Sequence, residues 1–366
     1  MRSSPEGHLG FWLCNLRVCA ASGALALAVG CASWQNPPPE KPVFFPGGTH
    51  EPRLQYLTSY SQAEDISPQN RWLAFLVGRS SSQRHIVKPY GLAFSSNQLL
   101  VCDTVPGCIE ILDLAHKSFS TFAPKGQGRL RNPVNIAVDP DGTRYVADSA
   151  RGMVLIYAAN GTCLGSVGDA GQKPTDVLVT GDRLYVTDLK SHRVAIYRKQ
   201  DRQYLQSIPR DDGDAAGRLY LPVNMARDAN GCLYVSDAGA FCVKKYDADG
   251  RFLRAFGSHG DSPGEFARPR GVAVDRQGRV FVADADTQVV QIFDPDGRLL
   301  MFFGVPGKSE AALNLPAKVL IDYDHTERYR RYAAPGFELE YLVLVTNQYG
   351  NRKVSVYGFG HRLKTL

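Results

Sequence analysis

This sequence predicts an all-β chain folded as six small sheets around a common axis, and three observations carry the prediction. Six prolines, Pro89, Pro133, Pro174, Pro222, Pro269 and Pro316, recur at steps of 44, 41, 48, 47 and 47 residues. Each opens a short apolar run, and a second run follows that ends at Asp103, Asp148, Asp188, Asp237, Asp284 or Asn347. The runs are punctuated by Gly, Pro, Asp and Asn, as in an antiparallel meander. Four strands repeating at about 40 to 50 residues make a β-propeller blade, and six units make six blades.

The unit is clearest in blade five. Pro269–Asp275 reads as a first strand, Val280–Asp284 as a second, Val289–Asp294 as a third and Leu299–Gly304 as a fourth. The first strand is small and almost continuously apolar, which suits a sheet covered on both faces. Blade six is stretched between its first two strands by an excess at Tyr323–Glu338. It offers Lys318–Ile321, Tyr341–Thr346 and Lys353–Tyr357, then runs out of chain before a fourth strand. Arg53–Thr58 resembles the fourth strand of blade four, so an N-terminal strand is expected to complete blade six and leave no open edge. Arg71–Gly78 competes for that slot but reads as a helix, with Ser67 as N-cap, Pro68 at the first helical position and an apolar face of Trp72, Leu73, Phe75 and Leu76.

The pattern Pro-x-Gly-Val-Ala-Val-Asp, then Val-x-Asp, then Arg-Val-x-Ile-Tyr, resembles NHL repeats, and Ser191-His192-Arg193-Val194 is close to the motif that names them. The resemblance covers roughly Arg53 to Gly358. It implies a six-bladed propeller and leaves function open, since such folds host many activities. Blade one lacks the Asp-x-Asp-Gly turn, and blade six carries the insertion; both depart from the pattern.

Hydrophobic residues make up 44% and charged residues 21% of the 366, as expected of a globular body, and the net charge is +6. Residues 1–30 hold Arg2, Arg17 and Glu6, a net +1, which leaves +5 for the rest. That mild excess does not by itself indicate a nucleic-acid protein, and no nucleic-acid partner is expected. Val18–Val29 is too short to span a bilayer comfortably and suits a signal segment. It ends Leu27-Ala28-Val29-Gly30-Cys31, which resembles a bacterial lipobox and makes Cys31 the expected lipidation site; an ordinary signal peptide with an incidental cysteine is the other reading. Residues 1–30 are thus read as signal, 31–52 as a Pro-rich tether that is extended and semi-rigid, and 53–366 as the propeller. The expected location is the bacterial envelope. By resemblance to Gram-negative lipoproteins, Ala32 favours the outer membrane. Cys102 and Cys108 flank a turn in blade one at positions that repeat alignment makes facing, so a disulfide between them stands beside two free buried thiols as an alternative. Cys242 is expected to face Ser236, and Cys163 to be a small core residue. There is no Cys-x-x-Cys-His haem attachment.

Propellers place ligand sites around the central channel. The residue two positions into each first strand runs Gly91, Asn135, Asp176, Asn224, Gly271, Lys318. Asn135, Asp176, Asn224 and Lys318 are therefore the candidate ligand-binding set, able to hold a small polar ligand or a hard divalent cation through oxygen, or else to satisfy neighbouring backbone groups. The repeated aspartates ending the second strands are expected to accept backbone N–H groups of the following turn, and the Asp-x-Asp-Gly segments to be turns rather than calcium loops. No metal ligands at the usual His and Cys spacing, nucleophile elbow or phosphate loop occur, so no catalytic residues and no obligatory cofactor are assigned. In the insertion, Arg328, Tyr329, Arg330, Arg331 and Tyr332 are the candidate partner-binding residues, since Arg and Tyr populate protein-contact hot spots; packing on the blade is the alternative. The insertion should lie on the face opposite the channel mouth, as a short helix.

These features favour a lipid-anchored, non-catalytic scaffold that binds an envelope protein. The resemblance to envelope NHL lipoproteins suggests a redox protein as that partner. The alternatives are a metal-dependent hydrolase or lyase, lactonase-like or amidating-lyase-like, at the channel mouth, and a propeller that binds a small ligand without turnover.

Overall fold

The computed structural model describes residues 41–67, 84–169, 171–210 and 215–363. Contacts divide the chain into residues 1–34 and a second unit, Gln35–Leu366, which holds the propeller. The signal segment, Cys31, the first part of the Pro-rich stretch and the predicted helix Arg71–Gly78 lie outside the described residues.

Six antiparallel sheets are formed. Their first strands are Pro89–Ser95, Pro133–Val138, Pro174–Thr180, Pro222–Arg227, Pro269–Val274 and Pro316–Asp322. Each touches the next, and the sixth touches the first, so the ring is closed. Blade six is built from both ends of the described chain. Its order runs Phe44–Phe45, Leu54–Tyr60, Val354–Arg362, Phe337–Asn347, Pro316–Asp322. Leu54 pairs with Phe359 and Tyr60 with Val354, so the expected N-terminal strand fills the fourth position. A fifth strand was not expected. Phe44 packs edge-on against Phe337 at 5.2 Å, and Phe45 lies 6.3 Å from Tyr357. The end of the Pro-rich stretch is thus laid on the blade, held by partial burial of two phenylalanines.

The proline period and the aspartate period prove to be two halves of one device. Proline has no N–H and holds the preceding residue extended, so the amides just ahead of it need another acceptor. The aspartate ending the second strand supplies it. Asp148 accepts from Arg131 N at 2.7 Å and Asn132 N at 3.1 Å. Asp237 does so from Tyr220 N and Leu221 N, and Asp284 from Ala267 N and Arg268 N. The following turn contributes further donors, such as Asp286 N to Asp284 at 3.1 Å. The local role expected of these aspartates holds, with the segment entering the blade as an added partner. The Asp-x-Asp-Gly segments are turns: Asp294 Oδ1 accepts Asp296 N and Arg298 N at 2.9 Å each, and Gly297 sits at φ +82°, where only glycine is unstrained.

The core fills the wedges between blades. In blades two, four, five and six the third strand carries a large aromatic residue, Tyr157, Tyr246, Phe293 or Tyr357, that is fully buried. A buried phenol needs a partner, and each hydroxyl finds a carbonyl in the linker entering its own blade: Tyr157 on Gly128, Tyr246 on Gly217 and Tyr357 on Ala311. In blade five Phe293 packs instead on Phe256 and Phe266, at 5.0 and 5.6 Å.

The cysteine readings require correction. Cys108 pairs with Asp103 and Cys102 with Ile109. Side chains alternate faces along a strand, so the two thiols point to opposite sides of the sheet and are free. Burial pushes both thiols up, which keeps them protonated. The same one-residue slip applies in blade four, where Cys242 faces Asp237 rather than Ser236. Cys163 is exposed, on an outer strand, rather than in the core.

Candidate functional site

The ring residues converge because every first strand is irregular at the same place. The pairing register shifts between Pro133 and Asn135, Pro174 and Asp176, Pro222 and Asn224, and likewise after Pro89, Pro269 and Pro316. A bulge re-aims a side chain, and here it presents the third residue of each strand to its neighbours around the axis. Two positions demand glycine for space. A Cβ on Gly91 would stand 2.1 Å from Asn135 Oδ1, and one on Gly271 would stand 2.7 Å from Lys318 Cα.

Asn135, Asp176, Asn224 and Lys318 are brought together as one network. Asn135 Nδ2 donates to Asp176 Oδ1 at 2.5 Å, while Val177 N and Met225 N donate to the same carboxylate at 2.9 and 2.8 Å. Lys318 Nζ lies 3.5 Å from Asp176 Oδ2 and donates to Asn224 Oδ1 at 3.1 Å. Val272 N donates to that same oxygen at 2.9 Å. Lys318 belongs to blade six, and Asp176 and Asn224 to blades three and four, so its side chain crosses the channel. Asn135, Asp176 and Asn224 are fully buried. Burial raises the Asp176 carboxyl above the usual range, and the Lys318 ammonium and two backbone N–H groups oppose that rise. Asn224 Nδ2 has no hydrogen-bond partner.

The chemistry of this arrangement is that of a filled site. Asp176 already receives three N–H groups and an ammonium, so a divalent cation would have to displace Lys318. Among the described residues no three or more His, Cys, Asp or Glu side chains gather at metal-binding distance. Three residues that the sequence reading passed over stand beside the ring. Arg270 stacks over Tyr90 at 5.5 Å and donates to Gln348 Oε1 at 2.9 Å. Burial holds the Tyr90 phenol above its ordinary value and the Arg270 guanidinium below its own. A signal for them existed. Tyr90 and Arg270 directly follow the blade proline, one place from the ring position, and Gln348 directly follows Asn347.

The insertion does form a helix, Thr326–Tyr329, continued as a 3₁₀ turn, Arg330–Tyr332. It lies beside the turn joining the first two strands of blade one, on the side opposite the channel mouth. Tyr329 and Tyr332 are buried, and the Tyr60 hydroxyl donates to that of Tyr329 at 3.0 Å. Arg328 donates to Leu114 O at 2.5 Å and Asn97 Oδ1 at 2.8 Å. Gln55 bonds Tyr332 O and Ala334 N. His325 stacks on Phe94 at 4.1 Å, bonds Asp322 through Nδ1 and Ser96 O through Nε2. The segment therefore clasps blade one and the N-terminal strand to blade six. Of the five candidate partner residues, only Arg330 and Arg331 face solvent.

Comparison with known proteins agrees with this architecture. The NHL repeat family model matches residues 266–293, which span blade five from its entry to its third strand. No curated protein matches the chain. Among solved structures, a protein of unknown function from Bacteroides thetaiotaomicron aligns at TM-score 0.57 and 16% identity, over 84% of this chain and 75% of that one. Streptogramin B lyase aligns at TM-score 0.50 and 10% identity, over 76% and 84%. A chain of the nidogen/laminin complex aligns at 0.50 and 20%, over 62% and 86%. At these identities the likeness is one of fold. Six closed four-position blades and a matched repeat in the fifth lead to one statement: this chain is a six-bladed β-propeller whose fifth blade contains an NHL repeat.

Proposed function

We propose that the protein is a lipid-anchored, non-catalytic scaffold of the bacterial envelope that presents rigid propeller faces to a protein partner. The observation that supports this reading is the cross-channel bridge from Lys318 to Asp176 and Asn224. The polar groups at the axis, where propellers commonly carry chemistry, are engaged with one another and hold blades together. The sequence Leu27-Ala28-Val29-Gly30-Cys31 supports the anchor. Acyl chains contribute ~0.8 kcal/mol per buried CH₂, so two or three make a lasting attachment. The partner is an envelope protein, with a redox protein the class the family resemblance suggests.

Two measurements test this. Cys31→Ser should move the protein from the membrane fraction to the soluble one and abolish labelling by a fatty-acid probe; retention of label would remove the anchor. Cross-linking of the intact protein in its native envelope should yield a stoichiometric protein adduct. An empty capture would sink the scaffold role. A double Arg330→Glu, Arg331→Glu variant then asks whether the insertion's exposed edge is the contact, without disturbing its buried tyrosines.

A further inference from the structure

The starts of the first strands, the ends of the second and the starts of the third share one face, and its loops carry an excess of positive charge. They comprise the segment entering each blade and the turn between second and third strands. Lys88, Arg131, Lys173, Lys190, Arg268 and Arg270 stand there, spread over blades one, two, three and five. Among the described residues of these loops the exposed carboxylates are Asp169, Asp261, Asp286 and Glu310, fewer than the exposed lysines and arginines, and Asp286 lies 3.5 Å from Arg268. The aspartates ending the second strands are fully buried under backbone amides and offer a partner nothing. Arg131, Lys173 and Lys190 are exposed, with no carboxylate within ion-pair distance among the described residues. The opposite face is mixed, with Asp-x-Asp-Gly turns set against arginines, as in Arg254–Asp296 and Arg298–Asp294.

The same loops expose apolar groups. Val105 is 64% exposed, Tyr349 58%, Tyr220 54% and Leu221 42%. In the segment entering blade four the exposed Arg218 stands beside the Tyr220–Leu221 pair. Large apolar side chains set among cations, on rigid turns, form the mixture that protein interfaces use: aromatic anchors for affinity, and fixed charge for steering and register.

We infer that the channel-mouth face is the docking surface, and that its partner is an acidic protein segment whose carboxylates seat on the cations of blades one, two, three and five, beside the apolar patch of blade four. This rests on the scaffold reading and adds to it which face is used and which charge the partner carries. Unpaired surface cations attract an opposite field over about a Debye length, so the contact is salt-sensitive.

The test uses poly-L-glutamate as the acidic probe, with the propeller as the full chain. Binding should be measurable at low salt and weaken steeply as salt is raised. A triple Arg131→Glu, Lys173→Glu, Lys190→Glu variant should bind at least about tenfold more weakly. Reversal of Lys117, Arg183 and Arg251 on the opposite face should change little. Equal binding by both variants would overturn the proposal. So would binding to phosphatidylglycerol vesicles, lost in the first variant, with none to poly-L-glutamate, since the face would then be a membrane surface. Normal thermal unfolding of both variants excludes misfolding as the cause. A cross-linked partner in the envelope together with failed probe binding would leave the scaffold and remove this face; the reverse pair of results would remove the scaffold alone.

Discussion

At the scale of residues, Lys318 carries the most consequence. Its ammonium is the counter-charge of a carboxylate that has lost its water, and removing one partner of a buried pair is costly because the other stays behind. Lys318→Met should lower stability by about 3 kcal/mol at neutral pH. The loss should shrink on acidification. The Asp176 carboxyl is already held above its unfolded value, so its favourable contribution is full below that unfolded value and is lost as pH rises through the folded one. Without the ammonium the folded value climbs further. Chemical denaturation of both proteins at several pH values checks this; a pH-independent difference would mean that Lys318 acts through packing. The ring residues were legible because the repeat aligns them at one position. The register of Cys102 and Cys108 was not. A one-residue slip in pairing is invisible in the alignment, yet it sends a side chain to the other face.

At the scale of elements, the insertion packs on the blade as a clasp, one of the two roles its sequence allows. Its composition leaves both open because arginine and tyrosine serve buried and exposed roles equally well; only the topology brings Tyr60, Gln55, Asn97 and Leu114 beneath it. The clasp should be pH-sensitive through His325. Its hydrogen bond to Asp322, above all, raises its pKa, and half-burial opposes this. A raised histidine contributes stability that is complete below its unfolded value and lost as pH rises through the folded one. His325→Phe keeps the stack on Phe94 and removes the titration. The variant should therefore be clearly less stable than wild type near about pH 5.5 and nearly its equal near about pH 8.5. Melting curves that differ by the same interval at both values would assign His325 a packing role only. The Phe44–Phe45 strand escaped the sequence reading for a different reason: a two-residue strand carries no period.

For the whole molecule, fold class, blade number and closure by an N-terminal strand were all legible, because six copies of one pattern agree where any single copy is ambiguous. Which face carries the unpaired charge was not, since it emerges only when distant loops are gathered at one end. The closing strand has its own test. A chain begun at residue 62 lacks Leu54–Tyr60 and leaves Val354–Arg362 as an open edge. It should aggregate or dimerise through that edge, and adding the 41–61 segment as a separate peptide should restore a monomer, as read by sedimentation. A monomeric truncated chain would show that the edge needs no cover. Closure and the cross-channel bridge bear on each other. Lys318 sits in the blade that can be finished only when the two ends of the propeller meet, and the carboxylate it neutralises was laid down three blades earlier. Until the last blade is seated, Asp176 has no cation of its own, so partly assembled rings lack a bond that the finished ring has. The molecule thus distinguishes complete from incomplete at its centre, by charge, as well as at its seam.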